Sequence, residues 1–232
     1  MKRTLLKTGD GSYTLQIPEW NEQYHSKHGA IAEAIHVFIN EGLRHIVALH
    51  SLSEISILEI GFGTGLNCAL TYLEAEKNEL KINYTGIEAY PLSVKEASSL
   101  EYHNLLGKLY PNGNSELQIE QFLSKIHQTP WETQNDIFID FHLQKQRKFF
   151  SEVSDVNRYE LIYFDAFGIR VQPELWTEVI FQKMFTALKP NGMLVTYAAN
   201  GNARRAMQAV GFSVERLAGP PGKKEMLRAT KL

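Results

Sequence analysis

The chain predicts a doubly wound α/β fold: a mostly parallel sheet of seven strands with helices on both faces. Three observations lead there. Ile55 to Asn67 (ISILEIGFGTGLN) passes from a β-branched apolar run through alternating glycines at Gly61, Gly63 and Gly65 into a segment whose Leu66, Ala69, Leu70 and Leu73 recur at helical spacing. An almost uninterrupted apolar run of this length suits a central parallel strand covered on both faces. From there on, strand-like and helix-like stretches alternate, the pattern of a parallel sheet joined by crossover helices. Finally, Phe212 to Leu217 and Glu225 to Thr230 are separated by the loop AGPPGKK and no helix, so they pair antiparallel and the last strand runs against the rest.

Thr4 to Pro18 alternates weakly around the turn Gly9-Asp10-Gly11, which predicts a small β-hairpin extension over residues 1–23, ahead of one Rossmann-like domain over residues 24–232. Tyr24 to Ile39 (YHSKHGAIAEAIHVFI) carries Ile31, Ala34, Ile35, Phe38 and Ile39 at helical spacing behind a histidine-bearing entrance. A second helical patch, Leu43 to Leu52, leads into the glycine-turn strand. Ile82 to Glu88 (INYTGIE) is a second strand ending in a carboxylate; Pro91 stops it, and Val94 to Leu106 follows as a helix. Tyr110 to Thr133 mixes the turn residues Pro111, Asn112, Gly113 and Asn114 with an apolar helical piece around Phe122 and Ile126, and its pairing stays open. Asp136 to Leu143 (DIFIDFHL) alternates as one strand, and the basic KQRKFF after it reads as a solvated helix face. Tyr159 to Phe164 is a strand ending at Asp165; Val179 to Leu188 is a helix closed by Lys189-Pro190-Asn191-Gly192; Met193 to Tyr197 is the next strand, and Arg204 to Val210 a helix ending at Gly211.

Composition narrows the function classes. With 232 residues, 44% hydrophobic and 22% charged, the chain buries one sizeable core and is not disordered. The formal net charge of −2 provides no overall basic field, so nucleic acid must be met by a local patch. A single cysteine, Cys68, rules out a disulfide framework and a zinc cluster, and His25, His28 and His36 lack partners at ligand spacing, so no metal is expected. No run approaches eighteen apolar residues and the N-terminus lacks a signal-peptide core, which predicts a cytoplasmic protein with no membrane association; monomer is the default expectation.

In an open parallel sheet, ligands bind beyond the carboxyl ends of the strands near the point where strand order reverses. Glycines at a strand-to-helix turn let a ligand approach the main chain, and the helix beyond supplies unpaired N–H groups. Glu88, at the end of the next strand, is placed to take both hydroxyls of a ribose. The spacing G-x-G-x-G differs from the dinucleotide fingerprint G-x-G-x-x-G, with Leu66 where the third glycine belongs. The pattern E-x-G-x-G-x-G, opened by Glu59 and followed by a strand-end acid, resembles class I S-adenosylmethionine-dependent methyltransferases. Asp165 projects its carboxylate at the same end, with Tyr163, Phe164, Phe167 and Trp176 nearby; of these Phe164 reads as core and the others as able to stack a planar base. Arg170, Arg204, Arg205, Lys223, Lys224 and Arg228 form a local positive cluster on loops or helix starts, and Lys223 and Lys224 follow the constrained Gly219-Pro220-Pro221-Gly222 loop, where they are placed for phosphates.

Five ordered stretches, YHSKHGAIAEAIHVFI, LEIGFGTGLN, YFDAFGIRVQPELW, LVTYAANGNARRAMQAVGF and GPPGKKEMLRA, together resemble the methyltransferase part of the MnmC family and its stand-alone MnmD counterparts. The resemblance spans Tyr24 to Ala229 and is weakest between about Leu100 and Arg158. It implies transfer of a methyl group from S-adenosyl-L-methionine to the primary amine of 5-aminomethyl-uridine at the wobble position in the tRNA anticodon. By motif position it implies that Glu59, Gly61, Gly63, Gly65, Asn67 and Glu88 meet the cofactor and that Ser26 and Glu33, in the segment folding over its methionine end, do so as well. Asp165 then sits at the methyl-transfer centre, touching cofactor and acting as the catalytic acid–base group, while Phe167, Arg170, Arg204, Arg205, Lys223 and Lys224 face the RNA. In bifunctional members a flavin-dependent oxidase follows; this chain ends at Leu232 after its final strand, so the expectation is no oxidase domain and separate upstream tRNA-modifying enzymes. Gly168 stands where related sequences usually have proline. Another amine acceptor, RNA or protein, and a non-catalytic cofactor-binding module on the same fold stay open as alternatives.

Overall fold

The computed structural model describes residues 2–111 and 116–232; Asn112, Gly113 and Asn114 of the turn noted above lie outside them. Three short antiparallel strands open the chain, β1 (Thr4–Lys7), β2 (Tyr13–Ile17) and β3 (Glu22–Gln23). The extension is thus one strand larger than a hairpin, and it sends Leu15 into the main core. Helix α1 (Ala30–Ala34) runs through wide π-type turns (Ile35–Arg44) into α2 (His45–His50) without a break. The two helical patches of the sequence are therefore one rod. It packs tightly on the sheet at Gly42, where a Cβ would sit 3.0 Å from Val195 and 3.3 Å from Tyr163.

Strand β4 (Glu54–Ile60), helix α3 (Leu66–Asn78) and strand β5 (Lys81–Ile87) form the first crossover unit. The helix expected from Val94 breaks in two, α4 (Val94–Ser98) and α5 (Tyr102–Leu109), because Glu101 turns left-handed at φ 49°. Ser93 and Glu96 form a reciprocal capping box at the start of α4, satisfying two N–H groups that the first turn leaves free. The segment left open by the sequence contributes α6 (Glu116–Gln128). Next comes a correction: Asp136 to Leu143 is not one strand but two, β6 (Gln134–Phe138) and β7 (Phe141–Gln146), folded back at Ile139-Asp140 with Asp140 at φ 63°. The alternation that suggested a single strand is the alternation of two. KQRKFF is likewise no helix face. Lys145 and Gln146 finish β7, and Lys145 is buried, 1% exposed, with its ammonium 4.8 Å from the Trp131 ring centroid; burial pushes its pKa down to about 8.

The chain closes with β8 (Tyr159–Phe164), α7 (Glu178–Ala187), β9 (Leu188–Thr196), α8 (Gly201–Ala209), β10 (Ser213–Ala218) and β11 (Glu225–Thr230). The Lys189–Gly192 turn is absorbed into the start of β9 as an irregularity in its pairing with β8. The large sheet has eight strands in the order β10-β11-β9-β8-β4-β5-β7-β6, one more than expected, the extra one being β6. β7, β5, β4, β8 and β9 are parallel; β11 lies antiparallel between β9 and β10. Since β5 and β7 follow β4 on one side and β8 and β9 follow on the other, strand order reverses between β4 and β8. A crevice opens beyond their carboxyl ends for that reason. Two apolar cores flank the sheet. One includes Phe38, Tyr72, Phe122 and Phe141, the other Phe164, Trp176, Phe181 and Met207.

Candidate functional site

The crevice is a cavity of about 500 Å³. Register explains its floor: Glu59 lies opposite Tyr163 and Ile60 opposite Phe164, so Gly61 and Asp165 leave their strands side by side. Asp165 N donates to Ile60 O at 2.9 Å, and Gly61, at φ 90°, comes so close to the neighbouring chain that a Cβ would lie 2.5 Å from the Asp165 carbonyl oxygen. Any side chain at Gly61 would drive the two strand ends apart. Gly63 and Gly65 also take positive φ, and Gly65 starts α3.

Three carboxyl groups and one amide lie at these strand ends. Glu59 is buried, 1% exposed, and accepts from Tyr84 OH and from Asn67 Nδ2, both at 2.8 Å. The same Asn67 nitrogen donates to Asp165 Oδ2 at 2.9 Å, so one amide ties β4 to β8. Burial pushes the Glu59 carboxyl well above the usual carboxylate range despite these donors. Asp165 is pushed up to about 7, first by burial and then by the charge of Glu33, with the Asn67 hydrogen bond and Lys223 acting against the rise. Asn67 Oδ1 is buried without a hydrogen-bond partner beside this cavity. A buried acceptor left free at a cavity wall is suited to a ligand donor. Glu88, at the mouth end of β5, accepts from Gly63 N at 3.1 Å and Tyr90 N at 2.9 Å. Each oxygen keeps a lone pair for a ligand hydroxyl.

The glycine loop is held from outside by residues that sequence reasoning passed over. Thr64 O faces His127 Nε2 at 3.0 Å, and Thr64 Oγ1 accepts from Tyr102 OH at 3.2 Å and meets His25 Nε2 at 3.5 Å. His25 Nδ1 in turn meets Thr14 Oγ1 at 3.3 Å, which joins the N-terminal sheet to the loop. Burial lowers both histidines to about 4, so they act as neutral hydrogen-bonding struts rather than charges. His36 reaches Ala218 O at 2.8 Å. Among the described residues no group of three His, Cys, Asp or Glu is placed to hold a metal ion. Nor is any described helix long and apolar enough to cross a membrane.

Of the residues named from the sequence, Glu59, Gly61, Gly63, Asn67, Glu88, Asp165 and Phe167 line the cavity. Phe167 stands edge-on to Trp20 and Tyr24, with centroids 5.7 and 5.1 Å away, so the residues before α1 roof the site. Ser26 and Glu33 lie behind that roof: Ser26 N donates to Glu33 Oε1 at 3.0 Å, and Glu33 Oε2 pairs with Lys223 Nζ at 2.6 Å. The basic residues do not form one rim. Arg170 pairs with Glu22 at 3.0 Å, Arg228 is buried between Glu41 and Glu215, Arg205 bonds Asn202, and Lys223 lies 3.7 Å over the Tyr197 ring. Arg204 has a buried Nε with no partner, while Lys224 is exposed. No motif announced Tyr84, Tyr102 or His127; the only hint was that a carboxyl group in mid-strand, Glu59, demands buried donors.

Comparison with known proteins decides the family. Residues 111–232 match the family described as S-adenosyl-L-methionine-dependent methyltransferase. The chain belongs to that family. Its similarity runs to the tRNA 5-methylaminomethyl-2-thiouridine biosynthesis bifunctional protein MnmC of Cupriavidus metallidurans, 27% identical over 90% of this chain and 31% of that protein, and of Actinobacillus pleuropneumoniae, 26% identical over 92% and 33%. This methyltransferase chain spans about a third of the length of these curated relatives. Among solved structures, MnmC2 of Aquifex aeolicus superposes with a TM-score of 0.76 at 22% identity, covering 98% of this chain and 70% of that one. A spermidine synthase of Thermotoga maritima reaches 0.61 at 15%, covering 99% and 68%. Both share the methyltransferase fold seen here. The family's cofactor is S-adenosyl-L-methionine. The cavity suits it: a strand-end carboxylate able to take ribose hydroxyls, a glycine loop whose backbone at Gly61 leaves no room for a Cβ, and the free Asn67 oxygen for an ammonium or hydroxyl donor.

Proposed function

We propose that this methyltransferase modifies tRNA at the wobble uridine, adding a methyl group to the primary amine of a 5-aminomethyl substituent, with or without sulfur at position 2 of the base. The relatives' role in 5-methylaminomethyl-2-thiouridine biosynthesis supports the substrate class. The observation that carries the chemistry is Asp165, a cavity-lining carboxyl group held by Asn67 with a pKa of about 7. A bound cofactor supplies an electrophilic methyl group on a sulfonium, so the protein's task is alignment and proton removal. Glu88 and the glycine loop hold the nucleoside end, Asn67 fixes the floor, and Trp20, Tyr24 and Phe167 keep water from the reacting atoms. An alkylamine resembles lysine, with a pKa of roughly 10, so the ammonium that dominates in solution must first release one proton to water before the neutral amine can react. Asp165 accepts a hydrogen bond that orients the neutral amine. With the cofactor held there, its methyl carbon would bond to the amine lone pair while the carbon–sulfur electron pair would leave with sulfur. Asp165 takes the proton shed by the methylated nitrogen. No metal and no covalent enzyme intermediate enters this scheme.

The test is methyl transfer from labelled cofactor to tRNA taken from cells lacking this modification, followed by nucleoside analysis. A methylaminomethyl-uridine product is expected; label on another nucleoside, or on none while cofactor binds, would reject the acceptor.

A further inference from the structure

Lys223 was placed by the sequence among phosphate contacts, yet the fold holds its half-buried side chain in an ion pair behind the cavity. Its ammonium sits 2.6 Å from Glu33 Oε2 and 3.7 Å from the centre of the Tyr197 ring. Glu33 is itself buried and anchored by Ser26 N. Tyr197 lines the cavity and donates its hydroxyl to Ala166 O at 2.8 Å, the carbonyl directly after Asp165. The loop that carries Lys223 is built to hold it there: Lys223 N donates to Pro220 O at 2.9 Å, Gly219 N to Lys224 O at 3.1 Å, and Gly222, at φ 84°, is packed so closely on the His28 ring that a Cβ would lie 2.4 Å away. Three segments distant in sequence, around residues 26–33, 197 and 219–224, thus meet at one ammonium group, and Tyr197 ties residues 165–166 to them. That is more construction than a surface cation needs.

We propose that Lys223 is a positioning residue for proton transfer: held between Glu33 and the face of Tyr197, it fixes the Asp165–Ala166 turn through the tyrosine and offsets the Glu33 charge so that Asp165 is able to serve as proton acceptor. This deepens the wobble-amine reading, from which it takes the proton to be accepted. The physical reason lies in the neighbourhood. Asp165 after β8, Tyr197 after β9, His25 before α1 and Glu22 on β3 all interact with this pair or with Tyr197 beside it, Asp10 in the first turn acts on His25 and Tyr102, and Glu59 on β4 and Tyr102 on α5 interact with Asp165. Among these carboxyls Glu22 is already paired with Arg170, and Lys223 is the cation on Glu33. Glu33 and Lys223 therefore act on Asp165 with opposite sign.

The pair makes opposite predictions for its two ends, which a mere structural tie does not. Lys223→Met removes the compensating cation, and Glu33→Gln removes the opposing anion. The carboxyl carbon of Asp165, identified in a carbon-13 titration of labelled aspartate by its loss in Asp165→Asn, should titrate about 0.5 pH or more higher in Lys223→Met and lower by a similar amount in Glu33→Gln. Lys223→Arg should stay near wild type. At pH 7 the kcat for wobble-amine methylation should fall about twofold or more in Lys223→Met, with KM for the cofactor unchanged. Both variants break the same ion pair, so a role in holding the loop alone would move Asp165 in the same direction in both or leave it in place; either result overturns the proposal. Should Lys223→Met fail to fold, Glu33→Gln decides alone, since an unchanged or raised Asp165 midpoint contradicts it. The titration needs no acceptor. Opposed shifts without methyl transfer to tRNA would support the charge coupling and remove the acceptor named above, whereas transfer with no opposed shifts would remove Lys223 from the mechanism and leave that acceptor in place.

Discussion

At the carboxyl ends of β4 and β8, the protein sets the buried Glu59 and the half-buried Asp165 around a single amide and leaves the Asn67 oxygen without a partner. On the flank formed by α3, α6 and β7 it does the opposite: Tyr72 stacks on Phe122 at 4.1 Å and on Phe138 at 5.3 Å, Phe141 meets both Tyr72 and Phe122 edge-on, and every ring finds apolar contact. The second region lowers the free energy of folding through burial and ring packing. The first raises it, because buried carboxyl groups lose hydration that their few donors do not replace. The comparison teaches where function resides in this fold. Carboxyl groups short of hydration and an unfilled acceptor, Asn67 Oδ1, face the cavity at the strand ends, and the aromatic flank supplies stability that tolerates them.

Changes at the two regions should therefore separate cleanly. Asp165→Ala should lower methyl transfer by about 10²–10⁴-fold while cofactor affinity by calorimetry stays within about threefold; turnover near wild type would break the contrast. Phe122→Ala should cost about 3–5 kcal/mol in urea unfolding, with cofactor affinity of the remaining folded protein unchanged. Loss of affinity at matched folded fraction would mean that the flank shapes the site directly. Glu88→Ala should weaken cofactor binding roughly tenfold or more with little change in stability, since it deletes a charged acceptor at the cavity but no core contact. The smallest effect sharpens the comparison best. Because the Asp165 pKa is raised in the folded state, to about 7, folding disfavours its ionised form. Wild type should thus lose stability as pH rises from the ordinary carboxylate range through about 7, and Asp165→Asn should not. Thermal unfolding at pH 5 and pH 8 should show the variant gaining on wild type at pH 8, by roughly 1–3 kcal/mol. Equal curves at both pH values would show that Asp165 is not a costly charge.

The part of this contrast that is local in sequence was legible in advance. The β-branched run before the glycines, the strand-end acids Glu88 and Asp165, and the antiparallel close of the sheet are all written in short stretches with one dominant period or turn signal. What escaped was either a turn without turn residues or a partner far along the chain. Ile139-Asp140 reverses the backbone with no glycine or proline, Asp140 taking the left-handed conformation itself and leaving Ile139 89% exposed, so two strands read as one. Glu101 breaks a helix in the same way. The basic residues misled for the second reason: Lys223 finds Glu33 at a separation of 190 residues and Arg228 finds Glu41 at 187, so no window of sequence shows that they are already paired. A run of positive charge says only what a solvated face would present, and the fold decides whether it remains solvated.

The claim on which the rest depends is that the cavity between β4 and β8 methylates the wobble amine with Asp165 as proton acceptor. The direct measurement is the pH dependence of single-turnover methyl transfer to tRNA bearing 5-aminomethyl-uridine, for wild type and Asp165→Asn. Wild type should form methylaminomethyl-uridine with a rate that falls on acidification through about pH 7, and the variant should be slower throughout and lack that inflection. A wild-type rate with no inflection near 7, or an Asp165→Asn enzyme that keeps both rate and inflection, would contradict the account.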